Sequence, residues 1–446
     1  MSSLQFDPVE SNTVLPAAVD VVVIGGGIVG TSTALALAER GVSVALCEKG
    51  IIGGEQSGRN WGWVRQMGRD PSEIPLAMDS AEIWNGLNAR VGGETGYRRT
   101  GILYVCTTER EVDEHEAWLN RAREFQLPSQ LLSRAELLDL LPNVAPGIRA
   151  GLHTATDGRA EPSKAAAAVA HGAQQRGALI FSNTAVRGIE TSAGRVSGVV
   201  TERGAIRTQA VVLAGGAWSR LFAGNLGIDF PQLKILGTAA RVDSVPGVPD
   251  FPVGGGNFSF RRRLDGGFTV AMRNANIAPI TPDSFRLFWD FVPTLVRSWH
   301  ELKLRVGSQF IEEWKTPRQW RLDEETPFEK VRILDPVPSD ALNRAGLEHL
   351  AAAFPAFAGA KITQSWSGLI DVTPDAVPVI DAVPSIGGFF IASGFSGHGF
   401  GIGPGAGKLA ADLVTGSRPS VDPQPFRLSR FERLTKSAAR RAAAIA

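Results

Sequence analysis

The spacing of hydrophobic positions changes several times along this chain, and each change marks an element. Asp20 to Ile24 is a short apolar, β-branched run, Ile28 to Arg40 places apolar residues at helical spacing, and Val42 to Cys47 is apolar again, which predicts a βαβ unit. Thr184 to Glu190, Arg195 to Thr201 and Ala205 to Thr208 read as short strands joined by turns at Ala193-Gly194 and Arg203-Gly204. The run Ala210 to Ser219 then returns to a buried strand, so a β-meander leading back to a parallel sheet is expected. Between these pieces the pattern differs. Arg98 to Ala150 is charged and helix-rich, and FSFRRRLDGGFTVAM carries a hairpin signal turning at Asp265-Gly266-Gly267. Pro282 to Leu304 is aromatic-rich helical cover interrupted by Pro293, GLEHLAAAF supplies another helix, and Gly387 to Gly416 reads as strand, glycine-rich loop and helix. The pattern predicts an α/β fold. A Rossmann-like nucleotide-binding domain, from 1–90, 151–225 and 360–446, is interrupted by an α+β second domain from 91–150 and 226–359.

A chain of 446 residues is roughly two to three times the commonest domain size, long enough for this division. The 46 basic and 45 acidic residues leave a formal charge of +1, so no global field favours nucleic acid or an anionic membrane. Cys47 and Cys106 form neither a disulfide framework nor a metal cluster and suit a reducing compartment. No uncharged apolar run reaches the roughly 18 residues of a membrane helix, and the first residues lack a signal-peptide pattern, so a cytoplasmic location is expected.

The chemistry begins at the first strand-to-helix turn. Gly25, Gly27 and Gly30 form GxGxxG around Ile28 and Val29, where missing side chains permit a tight turn, close approach of a pyrophosphate and close helix packing. Glu48 ends the second strand, where a carboxylate accepts hydrogen bonds from ribose hydroxyls. A dinucleotide is expected, with NAD and FAD both open at this point. Near the C-terminus, seven glycines between Gly394 and Gly407 form a second loop suited to close ligand approach.

GGGIVG with Glu48, LAGGAWS, WSGLIDVTPDAVPVI and SGFSGHGFGIGPGAGKLAADL together resemble the motifs of the D-amino-acid oxidase superfamily of FAD enzymes, in order over most of the chain. SGFSGHGF and TPD are most similar to its sarcosine oxidase, glycine oxidase and D-amino-acid dehydrogenase branch. The resemblance implies an FAD domain paired with a substrate domain built on an antiparallel sheet. It also implies oxidation of a primary or secondary amine of a small amino acid, giving an imine that water hydrolyses. Expected cofactor contacts, besides the residues above, are Lys49, the loop Ser57, Arg59 and Asn60, then Trp61, Val186, Ala214, Gly215, Trp218, Gly368, Gly394, Ser396, Gly397, His398, Gly399 and Gly401. A helix beginning near Pro404 would point its positive end at the flavin. His398 is a candidate for a hydrogen bond or charge near the ring, or for fixing its own loop.

A substrate carboxylate calls for a bidentate cation, and Arg59, Arg65 and Arg69 lie in one segment. With a one-residue gap, Arg65 matches the family arginine that holds this group. Trp61 and Trp63 are candidate walls, with core packing the alternative, as for Trp366. Arg261, Arg262 and Arg263 read as a solvated strand.

The departures shape further expectations. Gly368 stands where covalently flavinylated relatives have a cysteine, so non-covalent FAD is expected. Thr269 and Gly401 stand where relatives have lysines, which leaves the electron acceptor as oxygen, quinone or another flavoprotein, with slow oxygen use expected. The alternatives are a flavin-dependent 2-hydroxy-acid dehydrogenase, or the flavin subunit of a hetero-oligomeric dehydrogenase; the chain alone is also compatible with a homo-oligomer.

Overall fold

In the computed structural model, residues 4–299 and 302–431 are described. The βαβ unit forms as the spacing predicts: strand Val21–Ile24, helix Ile28–Ala38 and strand Val44–Cys47. Both strands are buried along their whole length, because helices pack on one face of the sheet and the meander strands on the other, and such strands need no polar alternation. They belong to a six-stranded sheet in the order Val379–Ala382, Phe389–Ser393, Ala210–Leu213, Val21–Ile24, Val44–Cys47, Leu179–Phe181. Only the edge strand Val379–Ala382 is antiparallel to its neighbour.

The meander is present as Val186–Ser192, Arg195–Thr201 and Gly204–Arg207, with left-handed backbone at Ala193 and Gly194 in the first turn. A second, ten-stranded sheet carries the other domain. Its core is the hairpin Ser259–Arg262 and Phe268–Ala271, turning through Asp265-Gly266-Gly267, next to the long strand Leu233–Val242. Leu233–Val242 in turn pairs antiparallel with Ile362–Val372.

Several expectations are corrected here. The second sheet is mixed: Val253–Gly254 runs parallel to Ile102–Cys106, and Asn276–Pro279 parallel to Leu302–Arg305. Ile362–Val372, and the strand Ala150–Thr154, pair into this sheet although the sequence reading grouped most of their residues with the nucleotide domain. Pro293 sits inside the helix Phe288–Ser298 and does not interrupt it, whereas Leu302–Arg305 is a strand.

The last helix runs Gly399–Thr415, beginning five residues before Pro404. Pro404 offers no N–H to the ladder. One turn around it is bridged from outside by Ser80, whose hydroxyl donates to the Gly401 carbonyl at 2.8 Å and accepts from the Gly405 N–H at 3.2 Å. Trp84 Nε1 adds a bond to the same carbonyl at 2.9 Å. Three of the late glycines serve packing: a Cβ at Gly403 would meet Ile28, one at Gly405 would meet Leu76 and Ser80, and one at Gly407 would meet Ser32. The first and last helices therefore lie nearly backbone to backbone, which fixes both glycine loops at the carboxyl ends of the strands Val21–Ile24 and Phe389–Ser393.

Candidate functional site

Two clefts meet in this structure. The first, with about 1200 Å³ of empty space including its mouth, is lined by the expected Gly25, Gly27, Ile28, Val29, Glu48, Lys49, Ser57, Asn60, Val186, Ala214, Gly215, Trp218, Gly397 and Gly399. Gly25 has φ +108, and a Cβ there would strike the Ala214 carbonyl, so only glycine fits the turn. Gly30 lines neither cleft; its Cβ would strike the Gly25 carbonyl, so its role is to let the helix close on the strand. Ser57 Oγ accepts from the Ile28 N–H at 2.9 Å and so sits at the positive end of the first helix.

Glu48 is enclosed at the end of its strand, with one oxygen accepting from the Gly26 N–H and the other from the Gly50 N–H, each at 2.7 Å. Burial raises its pKa against the opposing pull of Lys49 and these two N–H groups. Each oxygen keeps a lone pair for a diol. Lys49 is itself occupied, bonding Glu55 at 2.6 Å and lying 4.6 Å over the Trp218 ring. Cys47 also lines this cleft, but burial pushes its thiol up to about 12, so it presents no thiolate.

The second cleft is lined by Arg59, Trp61, Trp63, Arg65, Arg69, Tyr104, Arg273, Ser396, His398 and Gly401, among others. Gln56, Asn60, Gly397 and Phe400 line both clefts and form the junction. Gly368 and Gly394 line neither; Gly368 lies against Gln56, and Gly394 against Thr373. Gly401, the third residue of the last helix, lies against Trp63, Val64 and Arg65, so a side chain there would press on the arginine-bearing segment.

Arg59 is buried and fully engaged: Nε donates to the Gly54 carbonyl at 3.0 Å, and Nη1 reaches Asp335 at 2.5 Å and the Ser367 carbonyl at 3.1 Å. Trp366 donates to the Arg59 carbonyl at 2.8 Å from a buried position, so it packs and does not wall the cleft. Arg65 and Arg69 differ from Arg59. Arg65 Nη1 donates to the Met67 carbonyl at 2.6 Å, Arg69 Nε to the Arg65 carbonyl at 3.3 Å, and neither has a carboxylate partner among the described residues. Burial, with Arg65 close by, lowers the Arg69 guanidinium to about 9.

Their segment is pinned from behind. The Asp157 carboxylate accepts from the Gln66 N–H at 2.7 Å and the Met67 N–H at 3.4 Å, and burial raises its pKa to about 6. Behind the last glycine loop, Glu73 is fully buried and accepts from His398 Nδ1 at 3.0 Å. Burial and the Arg69 charge lower His398 to about 4, against the pull of Glu73. Glu73 is held below the ordinary carboxylate range although burial opposes this, by His398 and by Arg69 and Arg65. The ring is therefore neutral near pH 7, with its proton on Nδ1 and its Nε2 lone pair free.

Arg261 corrects another expectation. It is fully buried, pairs with Glu161 at 2.7 Å, donates to the Trp61 carbonyl at 2.6 Å and bonds the Thr269 hydroxyl at 3.3 Å. It belongs to neither cleft and anchors the Trp61-Gly62 backbone. Sequence reasoning missed Arg273, Tyr104, Gln56 and Glu73. Arg273 directly follows the hairpin run ending in Met272, where a cation after an apolar strand was the available signal. The other three are placed only by long-range pairing and packing.

The chain matches the family model described as DAO: FAD dependent oxidoreductase over residues 20–413. It is 26% identical to the mitochondrial sarcosine dehydrogenase of Homo sapiens over 94% of its length, but spans only 42% of that protein, and the same holds for the Mus musculus protein. It is 27% identical to the glycine oxidase of Geobacillus kaustophilus, covering 92% of this chain and 97% of that one. The structure of L-amino acid deaminase from Proteus myxofaciens in complex with anthranilate superposes with a TM-score of 0.92 at 36% identity, covering 96% of this chain and 97% of the other.

Proposed function

The chain belongs to the family of FAD-dependent oxidoreductases, and from that premise we propose that it oxidises the C–N bond of an amino acid or N-substituted amino acid to an imine, which water hydrolyses. The observation that carries this reading is the junction: the glycine-lined nucleotide cleft opens, across Gln56, Asn60, Gly397 and Phe400, onto a cleft whose charged wall is made of arginines. The kinship of relatives named for sarcosine, glycine and L-amino acids supports it. FAD, when bound, supplies the two-electron acceptor for this chemistry.

The residues fit such a cofactor. The Gly25 to Gly30 cradle leaves backbone where side chains would block it, Glu48 offers two carboxylate oxygens to ribose hydroxyls, and Ser57 stands at a helix N-terminus suited to phosphate. The cofactor is held without a covalent bond, since Gly368 carries no thiol and Cys47 remains protonated. Acid precipitation should leave the yellow colour in the supernatant.

Around the reacting carbon the protein's work is orientation and charge. Arg65 takes the substrate carboxylate and sets the distance of the amine-bearing carbon from the junction. His398 Nε2 accepts a hydrogen bond from the amine N–H and so orients the nitrogen, leaving the lone pair of the uncharged amine free to form the C=N bond. The last helix directs the unpaired N–H groups of Gly399, Phe400 and Gly401 toward the junction, where negative charge accumulates on reduction. Trp61 and Trp63 exclude water from one side.

The test is anaerobic mixing of the FAD-loaded protein with amino acids, N-methyl amino acids and 2-hydroxy acids. Loss of flavin absorbance with amines supports the reading. Loss with hydroxy acids alone, or with none of these compounds, overturns it.

A further inference from the structure

The second cleft presents guanidinium groups at two separate stations. Arg65, Arg69 and Arg273 line it; among the described residues no aspartate or glutamate does, Glu73 and Asp157 acting on Arg65 and Arg69 only from behind the lining, and the remaining arginine there, Arg59, is already paired with Asp335. Arg69 is only 3% exposed, and its Nη1 has no hydrogen-bond partner. A buried guanidinium with an unmade bond is costly unless an anion completes it. Arg65 and Arg69 stand together, one donating to the other's backbone, beside His398. Arg273 forms a second station. Its guanidinium lies 3.9 Å over the Tyr104 ring, while that of Arg65 is 5.9 Å from the same ring, and its Nη1 donates to the Gly255 carbonyl at 3.2 Å.

One α-carboxylate is matched by one bidentate guanidinium. The amine must be neutral when it is oxidised, so a substrate with an uncharged side chain would enter with a single negative charge. One station would then be left without a carboxylate to accept from its guanidinium inside the cleft. Resting on the amino-acid reading above, we propose that the substrate is an amine bearing two carboxylates, one held by Arg65 and Arg69 and the other by Arg273 against Tyr104. Acidic α-amino acids and imino diacids share that chemistry.

The experiment separates this inference from the reading it rests on by measuring binding without oxidation. Glutarate and its monoamide glutaramate, neither of which has an oxidisable amine, are titrated into the FAD-loaded protein, and the flavin spectrum is followed. Glutarate should bind about 30-fold or more tightly, as expected when a charged partner is removed from an enclosed pair. Arg273→Gln should reduce that ratio to near unity while binding of glutaramate, whose one carboxylate is held by Arg65 and Arg69, changes little; Arg69→Gln should weaken both ligands. Arg273→Gln serves alone if Arg69→Gln fails to fold. Equal affinity for the two ligands, or a ratio unchanged in Arg273→Gln, overturns the proposal whatever the anaerobic amine screen returns. In that screen, glutamate against glutamine and iminodiacetate against sarcosine then tell the two diacid classes apart.

Discussion

Two buried groups at the site titrate in overlapping windows with opposite signs. Asp157 is raised from 3.8 to about 6, so between these values the folded protein holds a proton that the unfolded chain has lost, and stability falls as pH rises. His398 is lowered from 6.5 to about 4, so between these values the unfolded chain holds the extra proton, and stability rises with pH. The two slopes offset each other between about pH 4 and 6. In urea unfolding across that range, stability should rise more steeply with pH in Asp157→Asn than in wild type, and less steeply, or fall, in His398→Gln. Parallel curves for all three would show that these groups keep their ordinary pKa values. Glu48 offers a second test at this scale. Replacing it with alanine removes the ribose acceptor and orphans the Gly26 and Gly50 N–H groups it holds. FAD binding should weaken by roughly 1.5 to 3 kcal/mol, the loss of a hydrogen bond to a charged group. A dissociation constant equal to that of wild type would remove Glu48 from the cofactor site.

Among the elements, the last helix shows most clearly what its own sequence can and cannot specify. Ser80 completes its ladder beside Pro404, so Ser80→Ala leaves the Gly405 N–H buried without a partner, at a cost of about 1 to 3 kcal/mol in the urea midpoint. The Gly401 carbonyl keeps Trp84, so the helix should bend and not unwind. Unchanged stability would mean that the backbone finds another partner. From sequence, the start of this helix was expected near Pro404, because proline favours a first turn; the glycines before it, poor helix formers in isolation, are helical here because Gly401 lies close against the Trp63 to Arg65 backbone and Gly403 against Ile28. The same distinction holds at the site. Gly25, Gly27, Gly30 and Glu48 were legible because they fall in order within one βαβ unit, although Ala214 and Ser57, which press on Gly25 and Gly27, lie outside it. Arg273 meets Tyr104 only through strand order in the ten-stranded sheet, and Glu73 meets His398 across 325 residues, so no local pattern could pair them. Arg261 was misread for a related reason: its partner Glu161 lies 100 residues upstream, and the charge looked solvated without it.

Across the whole molecule the alternation of domains was visible in changes of period, while the allegiance of single strands was not. Ile362–Val372 is followed closely by nucleotide-domain strands yet pairs antiparallel along the whole of Leu233–Val242, each strand buried in its central part. Electron acceptance is also a property at this scale. Reducing oxygen creates an anion that a nearby cation stabilises. Thr269 and Gly401 supply none, His398 is neutral, and the cleft arginines are engaged whenever a carboxylated product is present. Anaerobically reduced protein should therefore be reoxidised more slowly by air-saturated buffer than by a quinone or dye, and more slowly still with added glutarate; oxygen keeping pace with the dye would reverse this expectation. The four residues shared by the two clefts carry a last consequence. Gln56, Asn60, Gly397 and Phe400 touch whatever fills either space, so each occupant finishes part of the other's container. By thermodynamic reciprocity, any factor by which FAD tightens a carboxylate ligand is the factor by which that ligand tightens FAD. FAD dissociation measured with and without saturating glutarate should shift by that common factor, making the loaded protein a store that holds its cofactor most firmly when substrate is abundant and releases it first when substrate is scarce.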